Sequence, residues 1–330
     1  MPEVSIAFQT NKPLRDYGPL AQQAEAYGFD GVTVYNDMLY QPAWLPLLEM
    51  ARHTHRVRLG PAAVNPFTCH PINIAGNIAL LDEASNGRAY LGIARGAWLD
   101  FVGLNPPQPI AALREAIACV RHLLQQATDP LPGRYFPLAG GDSLRWTIQR
   151  PDVPVLLGTW GARTIAACAD AVQEMKLGGS ANPDVVGWLR AAIGRAEVGV
   201  VLGAVTVVAE DGRAARDLAR REVALYLPVV AELDPTLSLD PELVAGLKTA
   251  VQTYDFPLAA GYISDDLLAR FAFAGTPGDI IAQAEAIFAA GADRIEFGTP
   301  HGLSAQAGLE LLGKKVLPNL VNRQRTRDDT

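Results

Sequence analysis

The sequence predicts a (β/α)8 TIM barrel, with an inserted β-hairpin at about 133–149 and a helical insertion at about 211–274 before the last strand, in a single domain over 1–330. Three observations lead there. Eight short apolar runs alternate with amphipathic stretches of helical period. Several runs are apolar almost throughout, as parallel strands buried on both faces are. Polar residues gather just past the strand ends, where a parallel barrel keeps its chemistry.

The first strand is Val4 to Phe8, closed by Gln9-Thr10-Asn11; Leu20, Ala24 and Tyr27 then share one helical face, and Gly28 stops that helix. Gly31 to Tyr35 ends in Asn36-Asp37, and a helix over 43–54 turns Leu47, Leu48 and Ala51 inward. Val57 to Gly60 is the third strand. A Pro-rich turn, a helix from Pro71 to Ser85, the stop Asn86-Gly87 and the fourth strand Ala89 to Ala94 follow. Ile110, Leu113, Ile117, Val120 and Leu124 trace the next helix. Between Gly133 and Gln149 two β-type runs surround Gly140-Gly141-Asp142, which predicts the hairpin. Pro154 to Gly158, Glu174 to Gly178 and Val198 to Ala209 are strands five to seven, separated by helices over 161–171 and 184–196. Asp211 to Ala274 is mostly helical, broken at Asp234-Pro235 and Asp240-Pro241, and is too long for one crossover. Thr276-Pro277-Gly278-Asp279 supplies an N-cap, a proline at the first helical position and an acidic third position. Arg294 to Gly298 is the eighth strand, and a helix from Ser304 to Leu320 closes the chain.

Composition narrows the function. With 28 basic and 35 acidic residues the net charge is -7, which repels polyphosphate surfaces, so nucleic acid is not an expected partner. No apolar run approaches the roughly 20 residues of a membrane span, and nothing at the N-terminus reads as a signal segment. A soluble, cytoplasmic protein without a membrane partner is expected. Cys69, Cys119 and Cys168 are far apart and lack a CxxC pair, which predicts free thiols. No paired-histidine metal spacing occurs, so no metal is expected.

The loop Gly60-Pro61-Ala62-Ala63-Val64-Asn65-Pro66 puts small side chains after strand three, where a flat ring can approach the main chain; an ordinary two-proline turn reads the same way. Gly158-Thr159-Trp160-Gly161 opens a helix, so free amides could cradle an anion, or the segment is a plain βα loop. Gly178-Gly179-Ser180 adds a second glycine-rich loop. Asn36-Asp37 either contacts a cofactor and assists proton transfer or caps the next segment. His70 and His301 fall in loops on the same face, whereas His53, His55 and His122 fall on helices. Gly308 to Lys315 mimics a phosphate-binding motif but lacks its hydroxyl residue.

Leu59-Gly60-Pro61, Asn65-Pro66-Phe67-Thr68, His70-Pro71, Ala79-Leu80-Leu81-Asp82, Asn86-Gly87-Arg88-Ala89, the run from Leu91 to Gly96, Gly158-Thr159-Trp160-Gly161, Gly179 to Pro183, Gly275-Thr276-Pro277 and Phe297 to Gly302 stand in the order of a known family. Over almost its whole length the chain resembles the luciferase-like flavin-dependent oxidoreductases, and within them the coenzyme F420-dependent branch of methylenetetrahydromethanopterin reductase type. That resemblance implies a TIM barrel holding the deazaflavin ring of coenzyme F420 against a bulge after strand three, with a non-proline cis peptide near Ala62-Ala63. It also implies phosphate contacts from Gly158, Thr159, Trp160, Gly161, Ala162, Gly178 and Gly179, and ring contacts from Asn36 and Asp37. The implied cofactor set is these loops with Ala62, Ala63 and Asn65; the catalytic candidates are Asp37, Asn36 and His301. The chemistry would be hydride transfer between the deazaflavin C5 and a small organic substrate, with a homodimer as the usual assembly. The methanogen reductases carry a Glu in strand one where this chain has Ala7, a departure that bears on the substrate and not on the cofactor. The alternative activity is an FMN-dependent monooxygenase using reduced flavin and O2; a barrel that has lost catalysis and only binds is a third.

Overall fold

Each strand of this protein is a short apolar run that stops where the sequence turns polar or glycine-rich. The computed structural model describes residues 2–320. In chain order the elements are β1 (Glu3–Phe8), α1 (Tyr17–Tyr27), β2 (Gly31–Tyr35), α2 (Trp44–Arg52), β3 (Arg58–Ala62), α3 (Pro71–Ala84), β4 (Leu91–Ala94), α4 (Pro109–Leu124), β5 (Val155–Gly158), α5 (Ala162–Cys168), β6 (Glu174–Gly178) and α6 (Asp184–Ile193). Then follow β7 (Gly199–Val208), α7 (Gly212–Ala224), α8 (Leu227–Leu233), α9 (Pro241–Gln252), α10 (Phe256–Gly261), α11 (Asp265–Phe271), β8 (Ala272–Gly275), α12 (Pro277–Ala289), β9 (Arg294–Gly302) and α13 (Ala305–Leu311). Among the described residues, eight parallel strands, β1 to β7 and β9, alternate with helices in the (β/α)8 manner, and β8 is added beside β7.

Packing divides the chain into two compact units. One holds the chain up to Ala7, Ala26–Phe29 and everything from Lys176 onward; the other holds Phe8–Glu25 and Asp30–Met175. In the first, β1 pairs with β9 from Glu3↔Arg294 to Ile6↔Phe297, β9 pairs with β7, and β7 pairs with β8 from Val205↔Ala272 to Val208↔Gly275. Gly203 of β7 has no side chain, and across its bare face the buried Lys176 of β6 reaches the buried Glu296 of β9 in an ion pair. The capping box expected at α12 forms: the Thr276 hydroxyl accepts from Asp279 N, and Asp279 Oδ2 accepts from Thr276 N at 2.8 Å.

In the second unit β2 pairs with β3, β4 pairs with β5, and bridges Leu59↔Ala89 and Val64↔Ile93 bring β3 beside β4. Two polar centres, a buried carboxylate and a half-buried guanidinium, brace the start of β3. The Glu25 carboxylate accepts the amides of His55, Arg56 and Val57. Arg88 donates to the carbonyls of Ser85, Val57, Thr54 and Ala51 and to the Thr54 hydroxyl. Burial alone would push the Glu25 carboxyl up, but the three amides and the Arg56 charge together hold it below the usual carboxylate range.

Three expectations need correction. Residues 133–149 form no hairpin: the only β contact there is a single antiparallel bridge, Leu131↔Leu138. The ladder groups are engaged elsewhere, since Glu115 of α4 accepts the amides of Arg134, Tyr135 and Phe136 and Gln126 donates to the carbonyls of Leu144 and Trp146. The insertion over 211–274, expected as mostly helical with two breaks, is five helices that end in a strand, β8. The closing helix is broken: α13 gives way to a π-turn at Leu312–Val316 and a 3-10 turn at Leu317–Asn319.

Candidate cofactor site

At the strand ends of the second unit, short polar side chains spend one group on the backbone and leave another open. Asn36 follows β2; its Oδ1 accepts Ala43 N at 3.0 Å, and its Nδ2 has no partner among the described residues. Asp37 is half-buried, with Oδ2 accepting from Gln9 Nε2 at 2.8 Å and Oδ1 open. Past β3, Asn65 is 8% exposed; its Oδ1 accepts Phe67 N at 3.0 Å and Thr68 N at 2.9 Å, which leaves Nδ2 as a donor. Fixed in this way, Asn36 and Asn65 present amide donors, and Asp37 an acceptor, whose own orientation is already set.

The turn between β3 and Asn65 is the one expected. The Ala62–Ala63 peptide is cis. Its surroundings explain why glycines flank it: an added Cβ on Gly92 would meet the Pro61 carbonyl oxygen at 1.8 Å, and one on Gly60 would meet the Tyr90 carbonyl oxygen at 2.5 Å. The chain then rejoins β4 through Val64 N to Gly92 O at 3.0 Å and Ala94 N to Val64 O at 2.9 Å.

After β5, Gly158, Thr159 and Trp160 lead to Gly161, which caps α5 without a side-chain bond; Thr159 Oγ1 accepts Gly161 N at 3.1 Å. The opening residues Gly161, Ala162 and Arg163 are exposed. Arg163 and Arg95 have no ion pair or hydrogen bond to the described protein, and Ala94 lies opposite Gly158 in the β4–β5 register. Two unpaired guanidinium groups beside an uncapped helix start make an anion-accepting edge. Sequence reading singled out the glycines here and passed over Arg163, whose place on the first turn of α5 was the available signal.

In the first unit the expected residues do other work. Gly179 has φ 79, its amide donates to Gly203 O at 2.7 Å, and a Cβ there would strike the Tyr226 ring at 2.9 Å. Its amide is engaged within its own unit and its lack of a side chain is used in packing. Gly178 faces open space. His301, expected in a loop, lies within β9; it is buried, and its ring Nε2 donates to Ala7 O at 2.9 Å. That bond ties β9 to β1 and fixes the orientation of the imidazole. His70 caps α3, its Nδ1 accepting Ile72 N at 3.2 Å. Asn182 is a hub: Nδ2 donates to Asp234 and Thr236, while Oδ1 accepts from Arg270 and Asp184 N.

Gln9, read in the sequence as a polar residue closing strand one, contacts the Asp37 carboxylate, and Lys12, not singled out there, contacts Gln9, its Nζ donating to Gln9 O at 3.0 Å. Burial lowers the Lys12 pKa, partly opposed by the charge of Asp16. The cysteines are free, and burial raises the thiol pKa of Cys69 and Cys168 and pushes that of Cys119 up to about 11, so none is a ready nucleophile. Among the described residues no His, Cys, Asp and Glu group could hold a metal.

Similarity to known proteins runs along the same chain. The 5,10-methylenetetrahydromethanopterin reductase of Methanopyrus kandleri is 28% identical over 350 residues, covering 97% of this chain and 99% of that protein. The solved structure of the coenzyme F420-dependent tetrahydromethanopterin reductase from the same organism superposes with a TM-score of 0.87 at 24% identity, over 97% of this chain and 99% of that one. An F420-dependent secondary alcohol dehydrogenase, solved with an F420-acetone adduct, superposes at 0.76 with 17% identity, over 97% and 99%. Both structures share the fold. The model of the luciferase-like monooxygenase family matches residues 2–294, and the chain therefore belongs to that family.

Proposed function

We propose that this protein is a coenzyme F420-dependent oxidoreductase that moves a hydride between the deazaflavin C5 and an organic substrate, as a methylenetetrahydromethanopterin reductase does. Near full-length similarity to a reductase of that name supports the reaction class. The observation that carries it at the site is the paired supply of groups in the second unit: open amide donors from Asn36 and Asn65 beside the Ala62–Ala63 turn, and unpaired Arg95 and Arg163 beside the start of α5. An acceptor-rich flat ring with an anionic tail has that chemistry. The residues present therefore fit the cofactor.

When bound, the deazaflavin supplies the hydride-carrying carbon. Asn36 and Asn65 would donate to ring carbonyls, and Ala62 and Ala63, with methyl side chains only, would let the ring lie against the main chain. Gly158, Thr159, Trp160, Gly161 and Ala162 with Arg95 and Arg163 would hold the phosphate end. Asp37, steadied by Gln9, would move the proton that accompanies a hydride. Gly179 and His301 are left out, because their polar groups are engaged within their own unit. Ala7 offers no carboxylate, which supports a substrate other than that of the methanogen reductases. A homodimer and a cytoplasmic location complete the proposal; no helix among the described residues is long and apolar enough to cross a membrane.

The test is a spectral titration of the purified protein with F420 and with FMN side by side. Binding of F420 with nanomolar to micromolar affinity, tighter than FMN, is expected. No detectable F420 binding ends the proposal, and preferential FMN binding moves it to the monooxygenase.

A further inference from the structure

Two loops of the second unit present large apolar side chains to solvent from a backbone conformation such residues avoid. Leu39, in the loop after β2, has φ 68 and is 82% exposed. Trp98, after β4, has φ 53 and is 60% exposed, with Phe101 beside it at 67%. A bulky residue in the left-handed region costs energy, and such positions concentrate where function imposes the geometry. The loops are held in place. Leu99 is buried as an anchor, Phe101 N donates to Trp98 O at 3.1 Å, and Leu104 N donates to Leu99 O at 2.9 Å. On the other loop Tyr40 N donates to Asp37 O at 3.3 Å, and Gln41 N to Thr10 O at 3.1 Å.

Position gives this exposure its meaning. The strand β3 lies between β2 and β4, so the two loops flank the Ala62–Asn65 turn. Gly96, two residues before Trp98, packs on Asn65 so closely that a Cβ would meet Asn65 Nδ2 at 3.0 Å. By contrast, the exposed Leu80 on α3 rests on ordinary helical backbone. Within the second unit, the large apolar side chains held at positive φ are Leu39 and Trp98, both in these two loops.

We infer that Leu39, Trp98 and Phe101 form the substrate platform, which takes a flat, uncharged, unsaturated or aromatic part of the organic substrate beside the hydride-transfer position. This rests on the F420 reading and narrows its substrate class. The aromatic faces of Trp98 and Phe101 favour stacking of a planar group, and the exposed Asp100 between them disfavours an acid.

The test uses the full chain saturated with F420 and menadione, a flat uncharged quinone, in equilibrium dialysis. Wild-type protein should retain menadione; Trp98→Ala and Phe101→Ala should each weaken it about tenfold, the effect of one lost stacking contact. The same variants should bind F420 within about twofold of wild type, because the platform lies outside the cofactor contacts, and Leu80→Ala should change neither. Failure of wild type to retain menadione, or equal retention by the two loop variants, overturns the platform. Failure of wild type to bind F420, read in the titration before menadione is added, overturns the cofactor reading instead.

Discussion

Replacing Gly92 by alanine puts a methyl carbon 1.8 Å from the Pro61 carbonyl oxygen, where nothing nearer than 3.0 Å is tolerated, and 3.7 Å from Leu156 Cδ2. The obstacle is main chain, so no side-chain rotation relieves it. β3 and β4 must separate by more than an ångström. That movement strips the bonds Val64 N to Gly92 O and Ala94 N to Val64 O, each contributing about 0.5–1.5 kcal/mol. Overpacking adds about 1–3 kcal/mol, for a loss of about 3 kcal/mol and a fall in melting temperature of about 6 °C in a chain of this size. The segment that moves is the one carrying Ala62, Ala63 and Asn65, so F420 affinity should fall more than tenfold, equivalent to about 1.4 kcal/mol or more. Scanning calorimetry and the F420 titration read the two effects on one sample. A Gly92→Ala protein that melts and binds F420 as wild type does would refute both the close approach and its link to the cofactor.

Three further outcomes follow from the same contacts. Asn65→Ala removes the Nδ2 donor and should weaken F420 by about tenfold; it also loses the two Oδ1 bonds and should cost about 1–2 kcal/mol in denaturant titration. Glu25→Gln should cost about 2–4 kcal/mol at neutral pH, since a charged acceptor of three amides becomes a neutral amide. Because the folded Glu25 carboxyl titrates below its unfolded value, its stabilisation is complete above the unfolded pKa and lost as pH falls through the lower folded value; the gap between wild type and variant should close in acid, and a constant gap would contradict this. Gly187→Ala, on an exposed position of α6 with no atom within 4 Å of the new carbon, should stabilise by about 0.5–1 kcal/mol.

How far the sequence could be read depended on how local each signal was. Strand runs such as Gly31–Tyr35 and Val155–Gly158 and the Thr276 capping box are written in adjacent residues and were legible, whereas the turn at Ala62–Ala63 was legible only through the family resemblance. The expected hairpin at 133–149 failed because its backbone groups go to Glu115 and Gln126, side chains of a preceding helix and its end, which no local pattern reveals. His301 looked available for the same reason: its partner, Ala7 O, is 294 positions away. The Asn86-Gly87-Arg88-Ala89 motif was visible as a family mark, and Arg88 gathers carbonyls from Ala51 of α2, Val57 just before β3 and Ser85 just after α3. Arg95 falls within the family run Leu91 to Gly96, whereas Arg163 carries no motif and is marked only by its place on the first turn of α5.

The bare face of Gly203 has a consequence for how the chain finds its alignment. A buried ion pair adds little net stability, since desolvation offsets the attraction. Separating the partners is a different matter. Side chains alternate along a strand, so the smallest slip that keeps Glu296 on the same face displaces it by two residues along β7, which leaves both Lys176 and Glu296 without a countercharge and brings bulkier β7 side chains between them. Such misalignments would cost about 3–5 kcal/mol, the penalty of an uncompensated buried charge. Lys176, Gly203 and Glu296 therefore work together as a proofreading device for strand order, rejecting shifted pairings that hydrophobic burial alone would accept.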